Sequence, residues 1–297
     1  DWQRLYDRRE DYREGTVPVG GLLLTAGVDI QKDRIEVSIW AWGRDKESWL
    51  VEHRVIDGDT SRDDVWNELT EMLSETWSHA SGVQMPLKRL AVDSGYATQE
   101  VYGWVRRHHA GLVMAVKGVE RGAALAGMPT AVDITAGGKR LRRGVKVRPV
   151  AGGIAKLELF NNLRKDPPTD EEIAAGESHP AGYVHLPKVD GEYCKQLCSE
   201  QLVTTKNRRG YAVREWRKLR ERNEALDCYV YARAAAAVVG LDRFEERHWR
   251  KLGNSLGGNP APKTKQQRPA EQKARPSRPA SKRRGDWLGD RGGNWLK

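Results

Sequence analysis

The sequence predicts an α/β fold built on a mixed sheet, and two observations predict it. Apolar and polar residues alternate through three consecutive segments, which is typical of antiparallel strands joined by short turns. Two amphipathic helical segments then alternate with two short apolar segments, which indicates further strands in the same sheet. At 297 residues, the chain is long enough to bury a substantial core.

The predicted elements follow a polar lead-in segment, residues 1–20. We expect strands at about 22–29, 34–42, 48–56, 89–92 and 112–116, with helices at about 62–77 and 98–109. Three meander strands followed by helix, strand, helix and strand is the order of a ribonuclease H-like mixed sheet flanked by helices. The sequence therefore predicts such a domain over residues 21–250.

The second half of the chain is less regular. Gly and basic residues are frequent from about 120 to 210, so we expect a loop- and hairpin-rich insertion there. A long Ala-rich helix is predicted from about 211 or 213 to 241. Gly, Pro, Gln, Ser and basic residues dominate residues 251–297, a composition that predicts a disordered basic C-terminal tail.

The positive charge of the chain is concentrated in that tail. Residues 251–297 hold 12 of the 51 Lys and Arg residues but 3 of the 41 Asp and Glu residues, which is +9 of the total +10. The remaining 250 residues are close to neutral. The high isoelectric point therefore does not by itself predict a basic binding face on the folded domain.

Composition also excludes some classes of protein. Three cysteines, an odd number without framework spacing, favour a reducing compartment. We find neither an apolar run of 18 residues nor a signal-peptide pattern, so we expect no membrane partner. The chain begins at Asp1 and lacks a phosphate-binding loop, so we expect a piece of a larger protein.

Three aspartates carry the functional prediction. Asp29 and Asp93 each end an apolar segment, and Asp227 lies within the predicted long helix. In a ribonuclease H-like sheet the first and fourth strands are neighbours, so these carboxylates would converge. Like charges so close together repel one another unless divalent cations neutralise them. Carboxylate oxygens suit two Mg²⁺ or Mn²⁺ ions, which indicates a metal-dependent nuclease. Taken singly, each residue has an ordinary interpretation, as a strand end, a turn or a solvated helix position.

Glu224 is a further candidate ligand. It precedes Asp227 by three residues, so both side chains can share one face of the helix.

Three separated motifs together resemble the nuclease half of lambda-like, GpA-type phage terminase large subunits. The motifs are GVDIQKDRIE at 27–36, AVDSGY at 91–96 and RNEALDC at 222–228. They occur in the right order, and the resemblance covers about residues 20–241. In that family, a packaging ATPase precedes a ribonuclease H-like endonuclease that cuts concatemeric phage DNA.

The resemblance implies Asp29, Asp93 and Asp227 as metal ligands. It also implies that Lys117, in a Lys-Gly pair after the fifth strand, contacts a phosphate or the attacking water, although a plain surface lysine is the alternative. The implied partners are double-stranded DNA, a terminase small subunit and the capsid portal, and the implied location is the host cytoplasm. The ATPase half is missing, so this chain alone should not translocate DNA.

Two basic stretches are candidates for DNA binding, and solvated loops are the alternative. Their members are Arg140, Arg142, Arg143, Lys146, Arg208 and Arg209. The tail has three interpretations: it holds DNA through its charge, its terminal Trp-Leu pairs dock on a partner, or it has no binding role.

Two other sets of residues received a weaker functional interpretation. Cys194, Cys198 and His185 suggest zinc, but no second ligand pair of standard spacing completes that site. Trp40, Trp42 and Trp49 are expected to be packing residues, with base stacking as the alternative.

The sequence thus predicts an endonuclease for double-stranded DNA. A resolvase or transposase of the same fold and a catalytically silent DNA-binding or assembly module are the rivals.

Overall fold

The protein is built on a central mixed sheet. A computed structural model describes residues 1–132 and 144–257, together with the backbone of 135–136 and 139–140. The strands are β1 (Thr16–Val17), β2 (Leu23–Ile30), β3 (Arg34–Trp42), β4 (Ser48–Asp57), β5 (Thr76–His79), β6 (Gln84–Pro86), β7 (Arg89–Asp93), β8 (Val113–Val119), β9 (Thr130–Ala131), β10 (Thr135–Ala136), β11 (Lys139–Arg140), β12 (Lys146–Ala151), β13 (Val184–His185), β14 (Glu200–Lys206) and β15 (Ala212–Lys218). The helices are α1 (Trp2–Asp7), α2 (Asp63–Met72), α3 (Thr98–Arg106), α4 (Gly152–Leu163), α5 (Asp170–Ala174), α6 (Gly191–Leu197), α7 (Glu224–Val239) and α8 (Glu246–Ser255).

The strand order gives the fold class. The main sheet runs β13-β4-β3-β2-β7-β8-β12-β9 among the described strands. Strands β2, β3 and β4 form an antiparallel meander, while β7 pairs parallel with β2, β8 with β7, and β12 with β8. Strands β1, β5 and β6 form a separate small sheet, whereas β2, the first meander strand, is central in the main sheet and lies between β3 and β7. This is the ribonuclease H-like mixed sheet that the order of elements predicted.

The prediction of one long helix over residues 211–241 is wrong in its first half. Ala212–Lys218 form β15, which pairs antiparallel with β14, and the helix begins only at Glu224. The segment is rich in good helix formers, but pairing across the hairpin satisfies its backbone and overrides that preference.

Three smaller differences concern element boundaries. The helix predicted at 62–77 ends at Met72, because Thr76–His79 pair with β1 and β6. The predicted insertion supplies β12 to the main sheet and also contains α4, which the sequence did not suggest. Helix α8 continues through Ser255, past the predicted start of the tail at 251. Residues 258–297 lie outside the described residues.

Close packing of α7 on the central strand shapes the core. A Cβ atom on Gly27 would stand 1.9 Å from the carbonyl oxygen of Cys228 and 2.5 Å from the Ala232 nitrogen, so only glycine allows this approach. The predicted packing role of the tryptophans is confirmed: Trp40 and Trp42 are fully buried. Their ring centroids lie 4.9 and 5.9 Å from that of Tyr229 on α7.

Over the described residues, we find no helix with the length and apolarity of a membrane span.

Candidate active site

Three elements of the fold bring the predicted aspartates to one end of the main sheet. Val28 of β2 pairs with Val92 of β7, so Asp29 and Asp93 follow on neighbouring parallel strands. Asp227 lies on α7, next to Cys228, whose carbonyl group packs against Gly27. The glycine in β2 thus sets how close the third carboxylate comes to the first.

Asp29 is buried and has no nearby cation. Burial, followed by the negative charges of Asp227 and Asp93, raises its pKa to about 7. Its side chain is 5% exposed, and its Oδ2 accepts a hydrogen bond of 2.6 Å from the Gln31 amide. The Asp29 carboxyl group therefore binds a proton readily near neutral pH, because no positive charge of the described residues stabilises its ionised form.

Asp227 is in a similar state, although a lysine lies nearby. Burial raises its pKa to about 6, against the lowering effect of Lys156, and the charges of Glu200 and Asp93 raise it further. Its Oδ2 accepts a 2.7 Å hydrogen bond from the Asn223 amide. Asp29, which is buried, and Asp227, which is half-buried, are thus both acids whose ionised forms are stabilised too little by positive charge.

Asp93 has an oxygen without a partner. Its Oδ1 is buried and accepts no hydrogen bond from the described residues. Burial raises the pKa of Asp93, while the Gly95 N–H, the Tyr231 hydroxyl and Lys117 lower it. Burial raises the pKa of Tyr231, and the negative charges of the three nearby aspartates raise it further. An unpartnered buried carboxylate oxygen is costly unless something binds it.

Two lysines border this acidic cluster. Lys117 follows Val116, the residue of β8 that pairs with Asp93, and its side chain is exposed. Lys156 on α4 donates a 2.7 Å hydrogen bond to Glu200 Oε1, and its Nζ lies 3.9 Å from Asp227 Oδ1. Lys156 and Glu200 are not predicted by the sequence, because their proximity depends on a helix that shows no clear amphipathic pattern.

Glu224 faces guanidinium groups. Its carboxylate pairs with Arg34, and its Oε2 lies 3.5 Å from Arg222 Nε. The same two arginines pair with Glu36, at 2.7 Å from Arg34 Nε and 2.6 Å from Arg222 Nη2. Burial alone would raise the pKa of Glu36, but hydrogen bonds from His53 and Arg34 lower it to about 2. Glu224 and Glu36 therefore form a charge-compensated group, which we call the arginine clamp.

The chemistry of the three aspartates fits a divalent cation. The donors are hard carboxylate oxygens, one of them unpartnered, and Lys117 and Lys156 compensate their negative charge only in part. The carboxylate oxygens of the three aspartates are not all within 4.8 Å of one another. Among the described residues, the set of three metal-binding side chains that meets this distance is Glu10, His179 and His185. A shared ion therefore requires the aspartate side chains to move closer together.

A cleft runs from Asp227 toward the hairpin of β14 and β15. Arg121, Lys156, Arg214 and Trp216 contribute to its walls. Arg208 and Arg209, two of the candidates for DNA binding, are exposed in the turn between the two strands.

Lys146, from the other basic stretch, is not among the described residues that line this cleft. Lys146 opens β12, and that strand's Pro149 is the partner of Lys117, so Lys146 lies three residues, roughly 10 Å, back along the sheet. Arg142, Arg143 and the side chain of Arg140 lie outside the described residues.

Comparison with known proteins identifies related sequences. The family model for the endonuclease domain of terminase large subunit gpA matches residues 1–249. The chain is 31% identical to the terminase large subunit of Escherichia phage lambda, over 82% of this chain and 36% of that protein. It is 32% identical to that of Enterobacteria phage P21, over 80% of this chain and 36% of that protein. The chain thus spans about a third of the length of these relatives.

A solved structure is also similar, at a low score. The large terminase nuclease of the thermophilic phage G20c matches with a TM-score of 0.36 and 13% identity. The match covers 80% of this chain and 87% of that one.

Proposed function

The chain belongs to the family of terminase large subunit gpA endonuclease domains, and from this premise we propose that it is a metal-dependent endonuclease. Its proposed substrate is double-stranded DNA, cut from concatemers during phage genome packaging. The observation that carries this proposal is the convergence of three desolvated carboxylates whose charge Lys117 and Lys156 compensate only in part.

Asp29, Asp93 and Asp227 are the proposed ligands for Mg²⁺ or Mn²⁺. Two ions held there would activate a water for in-line attack on phosphorus and stabilise the leaving 3′ oxygen. The protein prepares this site by keeping the carboxylates buried and short of cations, so that binding an ion relieves their repulsion. Asp29 and Asp227, with pKa values of about 7 and 6, must lose their protons before they can ligate.

The two lysines have different proposed roles. Lys117 is exposed beside Asp93, where its ammonium group can bind the phosphate next to the scissile bond. Lys156 is engaged with Glu200 and stays 3.9 Å from Asp227 Oδ1, so it orients Asp227 without neutralising it fully. The arginine clamp keeps Glu36 and Glu224 paired, and we assign Glu224 a supporting role at the edge of the site.

The cleft between Asp227 and the basic hairpin is the proposed path for DNA. Arg214 and Arg121 line it, and Arg208 and Arg209 extend its positive charge at the hairpin turn. Contacts of this kind bind the DNA backbone, so affinity should fall steeply with added salt as counterions are released. A terminase small subunit and the capsid portal are proposed as partners of the larger protein that contains this domain.

Plasmid nicking tests the proposal directly. With Mn²⁺, the purified protein should nick supercoiled plasmid, and Asp29→Asn should lose this activity. Asp64→Asn, which changes an exposed carboxylate on α2, is the matched control and should remain active. Nicking that survives in Asp29→Asn would contradict the proposal, and its absence in the unmodified protein would favour a silent DNA-binding module. Preference for four-way junctions over linear concatemers would favour a resolvase.

A further inference from the structure

A second group of polar side chains lies at the opposite end of the main sheet from the aspartates. His185 on β13 pairs with Trp49 of β4, which in turn pairs with Ala41 of β3. Ala41 faces Leu24, five residues before Asp29 on β2. At about 3.3 Å per strand residue, the two sites are separated by roughly 17 Å along the sheet. They are therefore chemically independent.

This second group joins three distant parts of the chain. Glu10 comes from the lead-in segment, Glu47 from the turn before β4, and His179 and His185 from the segment that leads into β13. The donor atoms of Glu10, His179 and His185 all lie within 4.8 Å of one another. Two imidazoles and a carboxylate are a set that zinc accepts, with a water or another side chain in the fourth position.

The hydrogen bonds of His185 match those of a metal-bound histidine. One ring nitrogen, Nε2, lies 2.7 Å from Glu47 Oε1, so that carboxylate can accept its N–H. The other, Nδ1, lies 2.6 Å from Glu10 Oε1. The His179 ring is close by, with its centroid 4.5 Å from that of His185 and its Nδ1 3.8 Å from Glu47 Oε1. A carboxylate that accepts the second N–H of a histidine fixes its tautomer and makes the first nitrogen a better ligand.

His185 is packed in the protein interior, whereas Glu10 and His179 are partly exposed and leave the group open to an ion from solvent. The His185 side chain is 3% exposed and its ring stacks on that of Trp49, with centroids 4.8 Å apart. Glu10 and His179 remain 34% and 30% exposed. Zinc bonds of about 2.0–2.2 Å allow donors on one ion to stand up to roughly 4 Å apart, so small side-chain shifts bring these donors into range.

We propose that Glu10, His179 and His185 form a structural site for a transition-metal ion of the zinc class, with Glu47 orienting His185. Binding displaces the proton between His185 Nδ1 and Glu10, so affinity rises with pH. The ion ties the lead-in segment and the β13 segment to the edge of the main sheet. The earlier suggestion of zinc with Cys194 and Cys198 is thereby replaced, because the partners of His185 are carboxylates and an imidazole.

The test uses ZnCl₂ and the protein freed of metal by a chelator. Thermal unfolding is followed with excess Mg²⁺ present, so that the aspartates are not the zinc site. Zinc at about 100 times its dissociation constant should raise the melting temperature by roughly 5–10 °C. Asp93→Ala and His109→Ala, which alters an exposed histidine at the end of α3, should keep the full shift.

Substitutions within the group decide the outcome. His185→Gln should abolish the shift, and His179→Ala should weaken zinc binding at least tenfold while leaving the metal-free protein folded. Glu47→Gln should weaken binding by about 10–100-fold. Absence of a zinc-dependent shift, its survival in His179→Ala, or its loss in Asp93→Ala would each overturn the proposal. If His185→Gln does not fold, His179→Ala alone decides, because its side chain is partly exposed.

Discussion

Two groups of carboxylates lie near the same end of the central strand and are in opposite electrostatic states. Asp29, Asp93 and Asp227 have raised pKa values, because burial outweighs the partial compensation that Lys117 and Lys156 give to Asp93 and Asp227. In the arginine clamp, Glu36 is fully buried, yet its pKa is lowered to about 2 by His53 and Arg34. The difference therefore comes from the hydrogen-bonding imidazole and guanidinium groups.

The contrast shows how a binding site can be told from a structural ion pair. A buried acid that already faces a guanidinium group is compensated in charge and contributes to the fold. A cluster of desolvated acids without such a partner destabilises the domain until a cation arrives. The aspartates therefore mark the place for a bound ion, and the arginine clamp holds the neighbouring strand and helix together.

The largest expected effect follows removal of an aspartate. Asp93→Ala should lower Mn²⁺-dependent nicking by more than about 100-fold, because it removes a proposed ligand. The same change should leave unaltered or raise the melting temperature of the metal-free protein, because it relieves repulsion. Nicking assays and calorimetry measure the two effects. A folded variant with full activity would remove Asp93 from the site.

The arginine clamp should respond in the reverse way. Glu36→Gln should lower the free energy of unfolding by about 3 kcal/mol, because Arg34 and Arg222 then share one buried carboxylate, Glu224, in place of two. Urea denaturation measures this loss, with Glu68→Gln on the exposed face of α2 as the matched control. A change below about 0.5 kcal/mol would show that the clamp does not stabilise the fold.

The pH dependence of stability should separate the two groups. The folded-state pKa of Asp29 is about 7 against an ordinary value of 3.8, so the metal-free protein should lose stability as pH rises from about 4 to 7. Asp29→Asn should reduce that loss by about 2–3 kcal/mol. Glu36 behaves oppositely, since its contribution is present above its ordinary pKa and disappears as pH falls toward 2. Urea unfolding at several pH values tests this, and identical profiles for both proteins would contradict it.

The smallest effect is expected at Glu224. Glu224→Gln keeps an acceptor for Arg34, so nicking should stay within about tenfold of the unmodified protein and stability should fall by about 1 kcal/mol. The nicking activity of Asp227→Asn, three residues away on the same helix, is the reference for the loss expected when a metal ligand is removed. If Glu224→Gln loses as much activity as Asp227→Asn, Glu224 acts as a ligand and not as part of the clamp.

The sequence predicted much of this sheet and of its acidic cluster. Alternating apolar residues located the meander, and β3 was placed at the residues where it lies, Arg34–Trp42. Asp29 and Asp93 were expected to be neighbours, because they end strands that this order of elements sets side by side. These predictions rest on local patterns and on one topological rule.

The rest depends on contacts that leave no local pattern. Lys156 meets Glu200 across 44 residues, and His185 meets Glu10 and Glu47 across 175 and 138 residues. The β14–β15 hairpin was mistaken for helix, because residues with good helix propensity pair across it. The difference between the aspartates and the arginine clamp also emerged only in three dimensions, because it depends on where Arg34 and Arg222 point.

Anomalous diffraction from crystals of the protein soaked in MnCl₂ would locate the proposed ions. We expect manganese bound by carboxylate oxygens of Asp29, Asp93 and Asp227, with Glu36 still paired to Arg34. Crystals of Asp29→Asn treated in the same way should lose or weaken that density. Manganese found elsewhere, with the three aspartates free of metal at saturating concentration, would contradict the proposed metal site.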